Sequence, residues 1–341
     1  MDEFSLTSKE IKNIEPFNEV PFRDCYQSAL IAILKHFGKE IEPLFYTHLL
    51  YFNYDSDDKN LNPELQPIIC DDQKLCVECL GLQEHTILRS DNILEDTQKE
   101  IDKGRPVIIV IDRYYQRLSP MHYHQIHINH ALIIFGYNRE KKIFNIIDDY
   151  YLDEDCKYKK GIISFEDLEN AYSGFCKNFP QFKDIASFYS YCLSDNKEKY
   201  NIDILRKKYF SSLNKYQCLY IKSLESMKLF IDLIKQSIEE ENTFYKKVGL
   251  WEKTVWWIIR FHKTDKYILN HIFTNIEFSQ MDSLIDCWDK IKFYLLKISL
   301  KGKYTDKVKQ DVIKLLDKAY IYEEDYIKTL NKLALSNINK A

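Results

Sequence analysis

Glycine and proline are scarce in this chain, eight of each in 341 residues, and no proline follows Pro180. Long apolar runs are missing too. None reaches the ~18 residues of a membrane-spanning helix, so no membrane association is expected. The first residues, Met1-Asp-Glu-Phe-Ser-Leu, lack a basic stretch followed by an apolar one, and no signal peptide is expected. Cysteine lacks pattern rather than number. There are nine, an odd count, scattered without the spacing of a disulfide framework. That usage points to reduced thiols and a cytoplasmic protein. No segment repeats at a solenoid period. No nucleic-acid-binding motif appears in a chain whose net charge is −4, so no nucleic acid is expected as partner.

What is present is the composition of an ordinary soluble globular protein, 45% hydrophobic and 29% charged, long enough at 341 residues for two cores. The 25 Tyr and 20 Phe, with abundant Lys, Ile and Asn, read as coding bias toward A and T and carry little function. The charge is unevenly spread. Residues 1–180 hold 20 Lys+Arg against 31 Asp+Glu, whereas 181–341 hold 28 against 21. An acidic half joined to a basic half suggests two domains, the basic one suited to an acidic partner.

Pattern divides the chain the same way. Pro16 and Pro21 keep 1–22 out of a helix. Asp24 stands where an N-cap belongs, and the apolar face of Ala29, Leu30, Ile33, Leu34 and Phe37 predicts a helix over 25–37 stopped by Gly38. A second helix is expected over 43–52, then an acidic loop from Asp55 and a short strand over 75–82. Ser90 or Asp91 is expected to cap a helix that runs to Ile101 and ends at Gly104. The β-branched run 106–112 predicts a buried strand, followed by a polar, aromatic loop over 113–129. Two apolar runs, 132–135 and 143–147, flank the turn Asn138-Arg139-Glu140-Lys141 and predict a β-hairpin. A further helix is expected over 164–171. Beyond Pro180 only Gly249 and Gly302 interrupt a 3.6-residue periodicity, which predicts five or six helices in a bundle. The expected division is a domain over 1–185 and an all-helical domain over 190–341.

The hairpin puts His130 at the entry of one strand and Asp148 at the exit of its partner. In an antiparallel pair those ends are neighbours. That is the geometry of a base and its orienting carboxylate, with Asp149 the alternative. Cys25, in the first turn of its helix, supplies a nucleophile. Helix N–H groups there favour a thiolate, while Asp24 opposes it. By spacing alone, nine Cys and nine His allow many chance pairings, and the plainer reading has Cys25 as a buried helix residue.

A wider pattern sharpens this. Cys25-Tyr-Gln-Ser-Ala-Leu with His36-Phe-Gly, then Gly104-Arg-Pro-Val-Ile-Ile-Val-Ile-Asp112-Arg-Tyr-Tyr, His122-Tyr-His, His130-Ala-Leu-Ile-Ile-Phe-Gly-Tyr and Asp148 resembles the N-terminal domain of the butirosin-biosynthesis BtrH family. The resemblance covers roughly residues 20–150. It implies an α+β, papain-like (C39-peptidase-like) cysteine-protease fold for the first domain. It also implies acyl transfer from an acyl- or peptidyl-carrier-protein thioester to an amine of a small molecule, in natural-product biosynthesis. Cys25 would carry the acyl group, His130 would be the base and Asp148 its orienting residue. No cofactor or metal would be needed, since the phosphopantetheine belongs to the carrier protein. One departure stands out. Papain-like proteases place an oxyanion-stabilising Gln six residues before the nucleophile, and this chain has Glu19 there. Asn18, Arg23 or the Cys25 backbone N–H would have to serve instead. That disfavours peptide hydrolysis more than thioester chemistry. A cysteine peptidase or thioesterase on the same triad is the alternative, and a non-catalytic binding protein a second one.

Other clusters read as structural. His122, His124, His127 and His130 lack an HExxH helix and a matching carboxylate, so they are expected to line the approach to the site, with His122 or His124 touching substrate. Cys76-Val-Glu-Cys79 has no second CxxC to answer it. Asp112 is expected to hydrogen-bond the histidine-rich loop. Trp251, Trp256 and Trp257 belong on one helix, and the groups at 206–208 and 246–247 on solvated faces.

Overall fold

A computed structural model describes residues 7–19, 24–46, 49–53, 65–66, 80–149, 157–194, 202–273 and 278–338. Its strands in chain order are β1 (Ser8–Glu10), β2 (Leu49–Leu50), β3 (Leu65–Gln66), β4 (Leu82–Ile87), β5 (Val107–Asp112), β6 (Asn129–Asn138), β7 (Ile143–Asp149), β8 (Tyr158–Ser164) and β9 (Phe188–Leu193). The helices are α1 (Cys25–His36), α2 (Glu42–Phe45), α3 (Ile93–Asp102), α4 (Phe165–Asn178), α5 (Ile202–Lys215), α6 (Gln217–Glu239), α7 (Glu241–Ile272), α8 (Ser279–Lys301) and α9 (Asp306–Ile338). By internal contacts the chain forms two units, Met1–Ile41 with Asp72–Tyr200, and Glu42–Asp71 with Asn201–Ala341.

The first unit is built on a seven-stranded sheet of order β4-β9-β5-β6-β7-β8, with β1 also pairing β6, and every pair is antiparallel. Strand β5 is the β-branched run. Val107, Ile108, Ile109 and Ile111 are all fully buried, which requires cover on both faces of the sheet. Helix α1 packs against β6 and β5, and α4 against β5. Strand parity sorts the polar groups between the faces. His130 is the register partner of Ile111 and shares its face, whereas Asp112 points the other way, toward Asn178 of α4.

Helix α1 begins where its sequence says it should. The Asp24 side chain accepts the Gln27 N–H at 2.7 Å, and residues 27–34 are buried along it. Four expectations need correction. The helix expected over 43–52 is only Glu42–Phe45, and β2 follows it. The cap of α3 is Asn92, whose side chain accepts from Glu95 N–H, while Ser90 Oγ donates to Asp96. Helix α4 runs on to Asn178, well past 171. The region after Pro180 is not all helical, because β9 inserts between β4 and β5. The sheet unit therefore extends beyond residue 185. Segment 42–71 groups with the helices rather than with its sequence neighbours. Cys76, Cys79 and the acidic loop after Asp55 lie outside the described residues.

The second unit contains α5 to α9 together with α2 and the β2–β3 pair. Trp251, Trp288, Phe244 and Phe278 are buried in its core. That core also holds polar groups. His262 Nε2 lies 2.7 Å from Glu323 Oε1, which also accepts the Trp288 indole N–H at 2.9 Å. Tyr326 donates to Asp265 at 3.0 Å. Among the described residues no helix is long and apolar enough to cross a membrane.

Candidate active site

Three elements of the first unit bring Cys25, His130 and Asp148 together. Cys25 opens α1, and its Sγ accepts the backbone N–H of Ala131 at 3.2 Å, tying the helix start to β6 beside His130. Ile134 pairs with Ile146 across β6 and β7. Steps of two residues along each strand then keep His130 and Asp148 on one face. Their side chains meet, with His130 Nε2 at 2.6 Å from Asp148 Oδ1, and Asp149 Oδ1 stands farther off at 3.7 Å. His130 and Asp148 are both buried.

A fourth residue sits among them. Arg113 follows β5 directly and its side chain is only 1% exposed. Its Nη2 is 2.6 Å from His130 Nε2 and 3.3 Å from Asp148 Oδ1, and it forms an ion pair with Asp149. Gln116, also buried, donates to the other oxygen of Asp148. Arg113 further donates to Ser119 Oγ at 3.5 Å, and Ser119 lies 2.7 Å from His122 Nδ1. The 113–129 loop is thus folded back onto the pair by polar groups of its own. The ligand atoms of His130, Asp148 and Asp149 lie within 4.8 Å of one another, a donor set that suits a cation. Arg113 supplies a positive charge at that point.

These surroundings set the protonation states. Burial pushes the Cys25 thiol up to about 11, helped by the Asp24 charge and opposed by the Ala131 N–H and Arg113. Burial also pulls His130 down to about 4, aided by Arg113 and opposed by Asp148. Burial works to raise Asp148, but the charges of His130 and Arg113 and the bonds from His130 and Gln116 hold it low. These influences favour a neutral thiol, a neutral imidazole and a carboxylate. No hydrogen bond joins Cys25 Sγ to either ring nitrogen of His130. Nε2 of His130 faces both the Asp148 carboxylate, which only accepts, and the Arg113 guanidinium, which only donates, so the two contacts favour opposite tautomers of the ring.

The remaining candidates fall elsewhere. Glu19 is an exposed partner of Lys35. Both atoms of the Asn18 amide bond the Tyr158 backbone, at 2.8 and 2.9 Å. Arg23 lies outside the described residues. Of the oxyanion donors considered, the Cys25 N–H remains, at a helix position whose N–H has no intrahelical partner. His122 is buried against Ser119, and His124 is exposed and stacked on Tyr114 and Tyr123. His127 Nδ1 bonds Asp112 at 2.6 Å, on the α4 side of the sheet. Arg113 and Gln116 escaped the sequence reading. The available signal was parity, since Arg113 continues the face of Ile111 and a charge there must find partners.

Residues 79–178 match the Peptidase_C39 like family. The matched segment includes Arg113, His130, Asp148 and Asp149, while Cys25 lies before it. The chain thus combines helices with an antiparallel sheet, and over residues 79–178 it is similar to the Peptidase_C39 like family. No curated protein matches the chain.

Proposed function

We propose that the first unit is a cysteine-dependent acyltransferase of the BtrH kind, which forms an amide from a carrier-protein thioester and a small-molecule amine in natural-product biosynthesis. The observation that carries this reading is the placement of Cys25 Sγ 3.2 Å from the N–H next to His130, whose ring is in turn held by Asp148 at 2.6 Å. Cys25 attacks the thioester carbonyl while its proton passes to His130. The bond from carbon to the donor sulfur breaks, and His130 returns the proton to the departing thiol. The amine then attacks acyl-Cys25, His130 takes its proton, and the amide leaves as the Cys25 thiol is restored. Asp148 orients the imidazole throughout. Glu19, turned away to Lys35, supplies no oxyanion donor, which favours an activated donor over a peptide.

The C39-like match favours a second reading, cysteine peptidase or thioesterase, in which water replaces the amine. Intact mass spectrometry separates the two. Wild type and Cys25→Ala are mixed with an acyl-pantetheine or acylated carrier protein. An acyl adduct on wild type alone, discharged faster by amines than by water, supports the transferase. Discharge to free acid at a rate indifferent to amines supports the hydrolase. An equal adduct on Cys25→Ala means that another cysteine is the nucleophile.

A further inference from the structure

Arg113 has no assigned part in acyl transfer, yet its guanidinium, itself buried, touches the buried His130 Nε2 at 2.6 Å, reaches Asp148 and pairs with Asp149. A cation in contact with an imidazole opposes a second positive charge on that ring. A thiolate–imidazolium pair, the usual resting state of a papain-like site, requires that charge. We infer that Arg113 is a positioning residue that keeps His130 a neutral imidazole at rest, so that the thiolate–imidazolium pair forms only during attack on the acyl donor. The inference rests on Cys25 being the nucleophile.

The groups facing the pair divide by element. From α1 come Cys25 itself and Asp24, whose negative charge opposes a thiolate. From the 113–129 loop come Arg113 and His122, both of which oppose an imidazolium. From β7 come Asp148 and Asp149, which favour an imidazolium but are both engaged by Arg113. Among the described residues Arg113 is thus the cation that both offsets the carboxylates and contacts the ring. The chemical consequence is a choice of donor. A neutral pair reacts well with a thioester, whose carbonyl is activated and whose thiol leaves easily. It reacts poorly with an amide, whose amine must be protonated to leave.

The test is the pH dependence of Cys25 alkylation by iodoacetamide, mapped to the residue by mass spectrometry. In wild type the rate should climb about tenfold per pH unit from pH 6 to 9 without a plateau, as for a neutral thiol. Arg113→Gln should introduce a plateau and raise the rate at pH 6 by at least about tenfold, because the imidazolium can then form. Arg113→Lys and Asp149→Asn should keep the wild-type shape, since each retains the cation. If Arg113→Gln unfolds, the pair Arg113→Gln with Asp149→Asn removes one charge of each sign and should show the same plateau. A wild-type plateau below pH 7 overturns the inference, and so does its absence from a folded Arg113→Gln protein. Cys25 unlabelled at pH 9 in every variant, with other cysteines labelled, instead overturns the choice of nucleophile.

Discussion

Asp24 acts on Cys25 in two opposed ways. Its side chain caps α1 by accepting the Gln27 N–H, and its charge helps hold the neighbouring thiol up at about 11. The two roles separate by substitution. Asp24→Asn keeps a capping oxygen and removes the charge, so alkylation of Cys25 at pH 8 should be several-fold faster with little loss of stability. Asp24→Ala loses the cap as well and should cost about 1 kcal/mol, read from denaturant unfolding. Asp148 and Asp149 separate in the same manner. Asp148 contacts Nε2 at 2.6 Å, and Asp149 stands at 3.7 Å and serves Arg113. Turnover of a small thioester should fall on the order of a thousandfold in Asp148→Asn, where the imidazole loses its orienting carboxylate, but by less than about tenfold in Asp149→Asn. Equal losses would make the two aspartates a joint partner of His130. The first of these residues could be read from local pattern, because a cap and a helix start are adjacent in sequence. The choice between the aspartates could not, because it depends on which oxygen crosses to β6.

Elements set where these residues point. The 113–129 loop is held at its start by Asp112, which caps the turn at Arg113–Tyr115 by accepting the Tyr114 N–H at 3.0 Å. Its next support is a close approach of α4. A Cβ added to Gly174 would clash with the edge of the Tyr115 ring and lie 3.3 Å from Asp112 Cβ. Tyr115 is a stiff aromatic two residues from Arg113, so it cannot yield without moving the loop. Gly174→Ala should lower stability by roughly 1–3 kcal/mol and slow acylation of Cys25 together. Stability lost with acylation intact would show that the loop start does not govern the site. The hairpin of β6 and β7 was legible from two apolar runs about a polar turn, and α1 from its apolar face. Strand β9 was not. Its six residues are short and aromatic-rich and lie inside a stretch whose surroundings are helical, and only pairing with β4 and β5 explains its burial.

At the scale of the whole molecule, each unit has its own buried ionisable centre. In the helical unit burial opposes an imidazolium at His262, but the charge and hydrogen bond of Glu323, with Asp265, outweigh it and raise the His262 pKa. A raised histidine contributes stability that is complete below its unfolded value, about 6.5, and is lost as pH climbs through the folded one. The helical unit should therefore melt lower as pH rises above that range, and Glu323→Gln should flatten the dependence. Glu323→Ala should cost roughly 3–5 kcal/mol, because it leaves His262 buried without its partner. Within that unit residues 201–341 hold 25 Lys+Arg against 18 Asp+Glu, whereas its segment 42–71 is acidic. Residues 290–303 hold five Lys and no Asp or Glu beside the exposed Phe293, Leu296 and Leu300. An acidic carrier protein docking on this half is a proposal with a simple readout. Reversing charge at Lys297, Lys247 or Arg206 should raise the apparent KM for the carrier and leave a small thioester mimic unchanged. Equal effects on both substrates would remove the docking idea.

Local pattern along the chain determined where α1 starts, where the β6–β7 hairpin turns and which half is helical. Each depends on residues within a few turns or one strand of each other, where periodicity and capping decide. Tertiary structure decided the rest. It set β9 between β4 and β5, grouped 42–71 with distant helices, and brought Arg113 and Gln116 onto a carboxylate more than thirty residues away. Those outcomes follow from strand order and register, which come from burying whole faces together and leave no short-range signature in the residues that meet.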